Sequence, residues 1–411
     1  MTIFILFLMV GWKVYNSKVM KTSRLKINLN ILLFTITRTV VNTSYRMVYP
    51  FLPVFAQGLG VEPASLAMAF SIRSFLGAFG PFLATVADTH NRKTGLLLGI
   101  GLFTTGSVVV GVWPSFWAFI LGTSLVLLGN SVFIPSMNAY LGDHVAYEKR
   151  GRVLAITELS WALAFIGGIP VIRALIETYS WVAPFFLFMF LGVVLFLLTL
   201  FLVPTQKREK HPDNTLWRNL GNVFNSWPAL AGVITGILFT TSNETINVIF
   251  GVWIGDQFGL DFVALTLASI VIGVSELGGE VFTGLWLDVI GKRRTIWIAL
   301  GLNSLAAMLL PLTAGSLPLA VAGLGFFYIT FEIILVSALT MMSEVLPNAR
   351  ATITAATIAG FSLGRMLGDL IAPGLYAINF WICALAAVLL NGLSAILLTQ
   401  VRIKRNGEIS S

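Results

Sequence analysis

Arg38, Asn42 and Arg46 recur at every fourth position of one long apolar run, with Tyr45 and Tyr49 beside them. On a helix that spacing lines all three on one face. A guanidinium stays charged in any surroundings and forks onto carboxylate, phosphate or sulfonate groups. A face of this kind therefore predicts contact with an anionic or acid-headed molecule. Arg73 lies in the next apolar run. At 1.5 Å per residue, Arg46 and Arg73 sit roughly 12 Å and roughly 14 Å from the same end of their runs. As antiparallel neighbours, both guanidiniums would serve one cavity. The plainer alternative is that each pairs structurally with an acid or with backbone carbonyls.

The second half of the chain supplies acids. Thr240, Glu244 and Asn247 form a polar stripe, and Tyr328 and Glu332 are one helical turn apart, as are Glu276 and Glu280. A carboxyl group withdrawn from water holds its proton nearer neutral pH. Glu244, Glu276, Glu280 and Glu332 are thus candidates to load and release a proton, against the alternative of static ion pairs. Glu276 and Glu280 are too close for easy double ionisation. Arg365 and Asp369, also one turn apart, are expected to neutralise each other as an ion pair. Asn130, Asn247 and Tyr328 join Arg38, Asn42, Tyr45, Arg46 and Arg73 as candidate binding residues. Glu158 lies near the end of its run, where a gate is expected.

Stepping outward, ten charges of this kind lie in a chain of 411 residues that is 57% hydrophobic and 11% charged, with a mean hydropathy of +0.88. Soluble domains are about a quarter charged. A charge at mid-bilayer costs at least about 2.5–3.5 kcal/mol, so intramembrane charges mark pathways or paired sites. Twelve apolar runs approach or exceed the roughly 20 residues that cross a hydrocarbon core. Runs 1 to 6 cover 29–54, 64–86, 95–112, 116–141, 153–176 and 181–203. Runs 7 to 12 cover 229–253, 262–287, 295–313, 318–342, 351–374 and 379–401. In lipid these must be helices, because each backbone amide has to be satisfied within its own segment. The expected fold is an all-α membrane protein.

The connections define the topology. The N-terminal arm and the connections after runs 2, 4, 6, 8, 10 and 12 carry 21 of the 26 Lys and Arg residues. That is the positive-inside pattern, which predicts an even number of spans and both termini in the cytoplasm of a cell-membrane protein. The net charge of +8 therefore faces inner-leaflet lipid, and no nucleic-acid partner is expected. Residues 2–12 are apolar but too short to span. They are expected to form an interfacial helix, or to extend upstream of a start at Met20. His90, His144 and His211 lie in predicted connections and Cys383 is the one cysteine. No disulfide, metal site, cofactor or catalytic triad is expected, which argues against an enzyme.

The chain also repeats itself. Ala84–Lys93 and Gly284–Arg293 each place an acid (Asp88, Asp288) at the end of an apolar run, then a three-residue gap and two bases: Arg92 and Lys93, Lys292 and Arg293. The same 200-residue offset pairs Gln57 with Gln257, Gly101 with Gly301, Arg150 with Arg350 and Gly168 with Gly368. This divides the chain into an arm (1–27), a six-helix bundle (28–203), a polar linker (204–227), a second bundle (228–403) and a tail (404–411). Two related halves of this kind characterise secondary transporters.

The doubled loop, with the stretch Glu148–Arg152, resembles the major facilitator superfamily over nearly all of residues 26–403. That family's loop reads Gly-x-Leu-x-Asp-Arg-x-Gly-Arg-Arg/Lys. The second copy matches at Gly284, Asp288, Gly291, Lys292 and Arg293. The first keeps Asp88, Arg92 and Lys93 but has Ala84, Thr89 and Asn91 where Gly, Arg and Gly are usual. The resemblance implies twelve transmembrane helices in two pseudo-symmetric six-helix bundles, with runs 1, 4, 7 and 10 lining a central cavity. It places Asp88 by the start of run 11 and Asp288 by the start of run 5, where an acid is favoured by the helix dipole. Gate residues are then Asp88, Arg92, Lys93, Glu148, Arg150, Glu158, Asp288, Lys292, Arg293 and Arg350. Run 5 ends Gly167-Gly168-Ile169-Pro170, part of a Gly-Pro-rich motif of the family's drug–proton antiporters but without its Gly-Pro pair. It predicts a kink or tight packing.

The reading that follows is a monomeric secondary transporter working by alternating access. It is expected to couple protons to a small organic anion or amphipath. Drug–proton antiport stays open, as does a non-transporting receptor or lipid scramblase on the same scaffold.

Overall fold

A computed structural model describes residues 21–81, 83, 91–145, 147–205, 223, 225–346, 349–401, 404–405 and 408–409. Asp88, His90, His211 and residues 1–20 lie outside them. Nine helices among the described residues are long and apolar enough to cross a membrane. They account for runs 3 to 6 and 8 to 12. Runs 1, 2 and 7 are also helical where described, but interrupted.

Run 1 forms Lys21–Arg46 and Leu52–Leu59. Run 7 forms Trp227–Asn247 and Phe250–Phe258. The two breaks fall about 200 residues apart, so the repeat extends to helix geometry. In run 1 the break contains Pro50, which has no N–H to give to the helix. Run 7 breaks without a proline. Both helices extend beyond the expected ends at 54 and 253. Run 2 begins as Pro63–Gly77, with proline at the first turn where a missing N–H costs nothing.

Run 5 does kink. Its helix passes through a π turn at Ala164–Gly168 before resuming at Ile169–Thr178. Pro170 cannot donate to the preceding turn, and the π turn absorbs the lost bond. Gly168 lies directly against Thr43 of run 1.

Within each half, small residues let helices touch. A Cβ on Gly99 of run 3 would lie 2.8 Å from the Gly129 carbonyl oxygen of run 4. Between halves, run 2 packs on run 11 and run 5 packs on run 8. Large apolar side chains such as Phe190 and Phe201 of run 6 and Leu389 and Ile396 of run 12 point outward, as a lipid-facing surface requires.

The apolar core divides unevenly. At the end of the bundle away from the termini, one cluster joins both halves: Val48, Phe51 and Phe55 with Phe250, Trp253 and Ile254. Phe51 meets Phe262 at 6.1 Å, and the Pro50 carbonyl oxygen lies 2.6 Å from where a Cβ of Gly251 would be. At the end carrying the termini there are two clusters, one built from residues before 204 and one from residues after 222. The halves are thus sealed at the far end and keep separate cores at the terminal end.

Candidate functional site

The polar face of run 1 is real, and it is turned toward run 5. Arg38 Nη2 donates to Glu158 Oε2 at 2.5 Å. Asn42 Nδ2 donates to Ser160 Oγ at 3.2 Å. Arg46 Nη1 and Nη2 fork onto the two carboxylate oxygens of Glu276 in run 8, so this pair crosses between the halves. The Arg46 guanidinium lies 4.2 Å from the centre of the Trp161 ring and 4.3 Å from that of Phe165. Both rings come from run 5, and Phe165 sits on the π turn. Aromatic faces attract a desolvated cation, so the rings and the carboxylate together hold the charge.

Glu280 follows one turn after Glu276. Glu332 of run 10 is buried, and a Cβ on Gly279 would lie 2.7 Å from its Cβ. Three carboxyl groups from runs 8 and 10 thus gather around one arginine from run 1.

Arg73 does not join Arg46. It is fully buried, and its Nη2 donates to the Tyr49 hydroxyl at 2.9 Å. Its charge lies 4.6 Å from the Phe70 ring centre and 4.8 Å from that of Tyr45. Tyr45 and Tyr49 therefore turn toward run 2 while Arg46 turns toward run 5, so the two guanidiniums engage different partners.

Run 7 contributes a chain of bonds. Tyr328 donates to Asn247 Oδ1 at 2.5 Å, and Asn247 Nδ2 donates to Glu244 Oε1 at 3.0 Å. The expected Arg365–Asp369 ion pair is absent. Asp369 Oδ2 instead accepts the Ser74 hydroxyl of run 2 at 2.6 Å, and its Oδ1 has no donor among the described residues. Run 11 packs so closely on runs 2 and 7 that Asp369 turns into that seam. Asn130 is buried in run 4 with its Oδ1 unpartnered.

The described contacts of the loop bases lie inside their own halves. Arg92 Nε donates to Asp143 at 3.3 Å, and Lys93 Nζ to the Leu200 carbonyl at 2.6 Å. Lys292 pairs with Glu344, and Arg293 Nη2 donates to the Thr399 carbonyl at 2.7 Å. The two sets match at the 200-residue offset. Each base pair fastens the start of one helix to the ends of two others, through one carboxylate and one carbonyl near helix C-termini, where a cation is favoured. For these four residues the described contacts are staples within each half. Arg150 Nε donates to the Val145 carbonyl at 3.0 Å, also within its half. Asp288 and Arg350 are exposed. Asp88 and the Glu148 side chain lie outside the described residues.

Trp161, Phe165 and Ser74 carry much of this geometry and were not singled out from sequence. Trp161 and Phe165 are one turn apart immediately after Glu158, and Ser74 follows Arg73. Those adjacencies were the available signals.

The sequence profile of the Major Facilitator Superfamily matches residues 34–368 and again 232–408. The uncharacterized MFS-type transporter YwfA of Bacillus subtilis is 27% identical over 355 residues, covering 84% of this chain and 85% of that protein. The multidrug resistance protein MdtG of Erwinia billingiae is 29% identical over 299 residues, covering 69% and 71%. Among solved structures, a nucleoside transporter, NupG, superposes with a TM-score of 0.73 at 15% identity, covering 90% of this chain and 98% of that one. An inward-facing, occupied bacterial homologue of the lysosomal transporter Spinster gives 0.69 at 13% identity, covering 94% and 95%. At such identities the structures speak for the fold alone.

Proposed function

The chain belongs to the Major Facilitator Superfamily and is a secondary transporter, and from that premise we propose that it exchanges protons for amphipathic organic solutes, chiefly ones carrying positive charge. The carrying observation is the Arg46–Glu276 fork between the halves, with Glu280 and Glu332 beside it. Arg38 and Arg46 are already matched by acids, which disfavours them as receptors for a free anion. Six acids share the intramembrane region with four arginines, an excess that suits a cation or a proton. A solute cation and a proton competing for Glu276, Glu280 and Glu332 would give antiport. The multidrug name of the MdtG relative supports the same class of solute. In this reading the twelve runs are twelve crossings of a monomer, with the basic terminal face in the cytoplasm. The separate cores at that face then correspond to a cytoplasm-open state.

The test is flux of the lipophilic cation ethidium in proteoliposomes of the purified protein, with and without an imposed pH gradient. The expected result is accumulation that needs the gradient and is lost in Glu276→Gln. Flux indifferent to the gradient overturns proton coupling. A preference for lipophilic anions in the same assay overturns the charge selectivity.

A further inference from the structure

A second acid pair lies where run 7 packs on run 11. Glu244 of run 7 and Asp369 of run 11 are both fully buried. The helices bring them together. Gly364 and Gly368 of run 11 face run 7, and a Cβ on Gly368 would strike the Glu244 side chain. Thr241 Oγ1 donates to the Gly364 carbonyl at 3.1 Å and holds the contact. Glu244 Oε1 takes the Asn247 amide, and Asp369 Oδ2 takes the Ser74 hydroxyl. Glu244 Oε2 and Asp369 Oδ1 receive no N–H or O–H donor. Ionised carboxylates only accept hydrogen bonds, so a proton held between two such neighbouring acids would supply the donor that both lack.

The charged and titratable groups around the pair are Arg73 from run 2, Arg365 from run 11, the phenols of Tyr45 and Tyr49 from run 1 and, through Asn247, the phenol of Tyr328 from run 10. Neither guanidinium forms an ion pair with the acids. Arg73 is spent on Tyr49 and on aromatic faces, and its Nε has no partner. A buried donor without an acceptor thus stands near two buried acceptors without donors. Both acids belong to the second half, whereas Arg73 and Ser74 belong to the first. The contact of run 2 with run 11 is therefore one that rocking of the halves must remake.

We propose that Glu244 and Asp369 hold one exchangeable proton between them, and that Arg73 takes its place when run 2 shifts against run 11. The step breaks one O–H bond. The proton passes to water, leaving two carboxylates, and Arg73 donates to them. In reverse, proton uptake frees Arg73 to return to Tyr49. This rests on the coupled-transport reading and gives it a proton store separate from the Arg46 cluster.

The first arm needs no solute. Purified full-length protein is examined by infrared spectroscopy for the C=O stretch of a protonated carboxyl group, in wild type, Glu244→Gln, Asp369→Asn and Glu276→Gln. The expected result is a component of that band at neutral pH that the first two variants each remove and Glu276→Gln leaves. A spectrum left unchanged by either dyad variant overturns the shared proton, as does absence of the band from wild type. Because each dyad variant tests the pair alone, one that fails to fold leaves the other as the test. The second arm is ethidium flux. Both dyad variants are expected to lose accumulation driven by the pH gradient while keeping ethidium exchange at equal pH. Gradient-driven accumulation retained in both overturns the dyad as coupling site, whereas gradient independence in wild type overturns the coupling reading itself.

Discussion

Arg46 is the residue on which the two halves depend most visibly. Its partner Glu276 is 230 positions away, and both side chains are nearly buried. Removing one member of such a pair strands the other charge, at a cost of about 3–5 kcal/mol. Glu276→Ala is expected to lower the thermal unfolding temperature of the purified protein sharply. The double variant Arg46→Ala/Glu276→Ala is expected to recover most of the loss, as a double-mutant cycle would show. Arg46→Lys keeps the charge but not the fork, and should fall between wild type and Glu276→Ala. That Arg46 matters was legible from an arginine inside an apolar run. Its partner was not, because helical spacing relates only near neighbours and says nothing about which distant helix an exposed face meets. For the same reason Asp369 read as the partner of Arg365, one turn away, when the packing of run 11 turns it to Ser74.

Among the helices, close contact is purchased with glycine. Runs 3 and 4 touch at Gly99, where an added Cβ would lie 2.7 Å from Phe133 Cβ and 2.8 Å from the Gly129 carbonyl. Gly99→Val is expected to cost about 1–3 kcal/mol by overpacking, visible as a lower melting temperature. Gly142→Val, with open space around it, should cost far less. The broken helices of runs 1 and 7 belong to the same scale. Their apolar runs were plain from composition, and Pro50 hinted at one break. The break after Asn247 has no local signal. It became visible only as the counterpart, 200 residues on, of the one in run 1.

For the molecule as a whole, the sealed far end is the feature to perturb. Gly251 lies beneath the carbonyl oxygens of Tyr49 and Pro50. Gly251→Val leaves each half intact but obstructs their approach, so it should shift the population toward the state closed at the terminal face. Spin labels placed across that face, one in each half, are expected to move closer together in this variant. Unchanged distances would mean that the seam yields without opening. The matching staples, Arg92–Asp143 with Lys93–Leu200 and Lys292–Glu344 with Arg293–Thr399, make each half a rigid body, which is what a rocking motion requires.

Composition and periodicity were enough for the membrane, the helices, the two halves and the side on which the bases collect. All of these follow from short-range rules: how many apolar residues cross lipid, which residues share a helical face, and where cations are tolerated. Pairing was beyond their reach. Whether Arg46 meets a solute or Glu276, whether Asp369 meets Arg365 or Ser74, and whether the loop bases join the halves or brace each one depend on how twelve runs are rotated and stacked. That stacking is set by the fit of glycines, prolines and aromatic rings between helices far apart in the chain, and only the folded molecule brings them together.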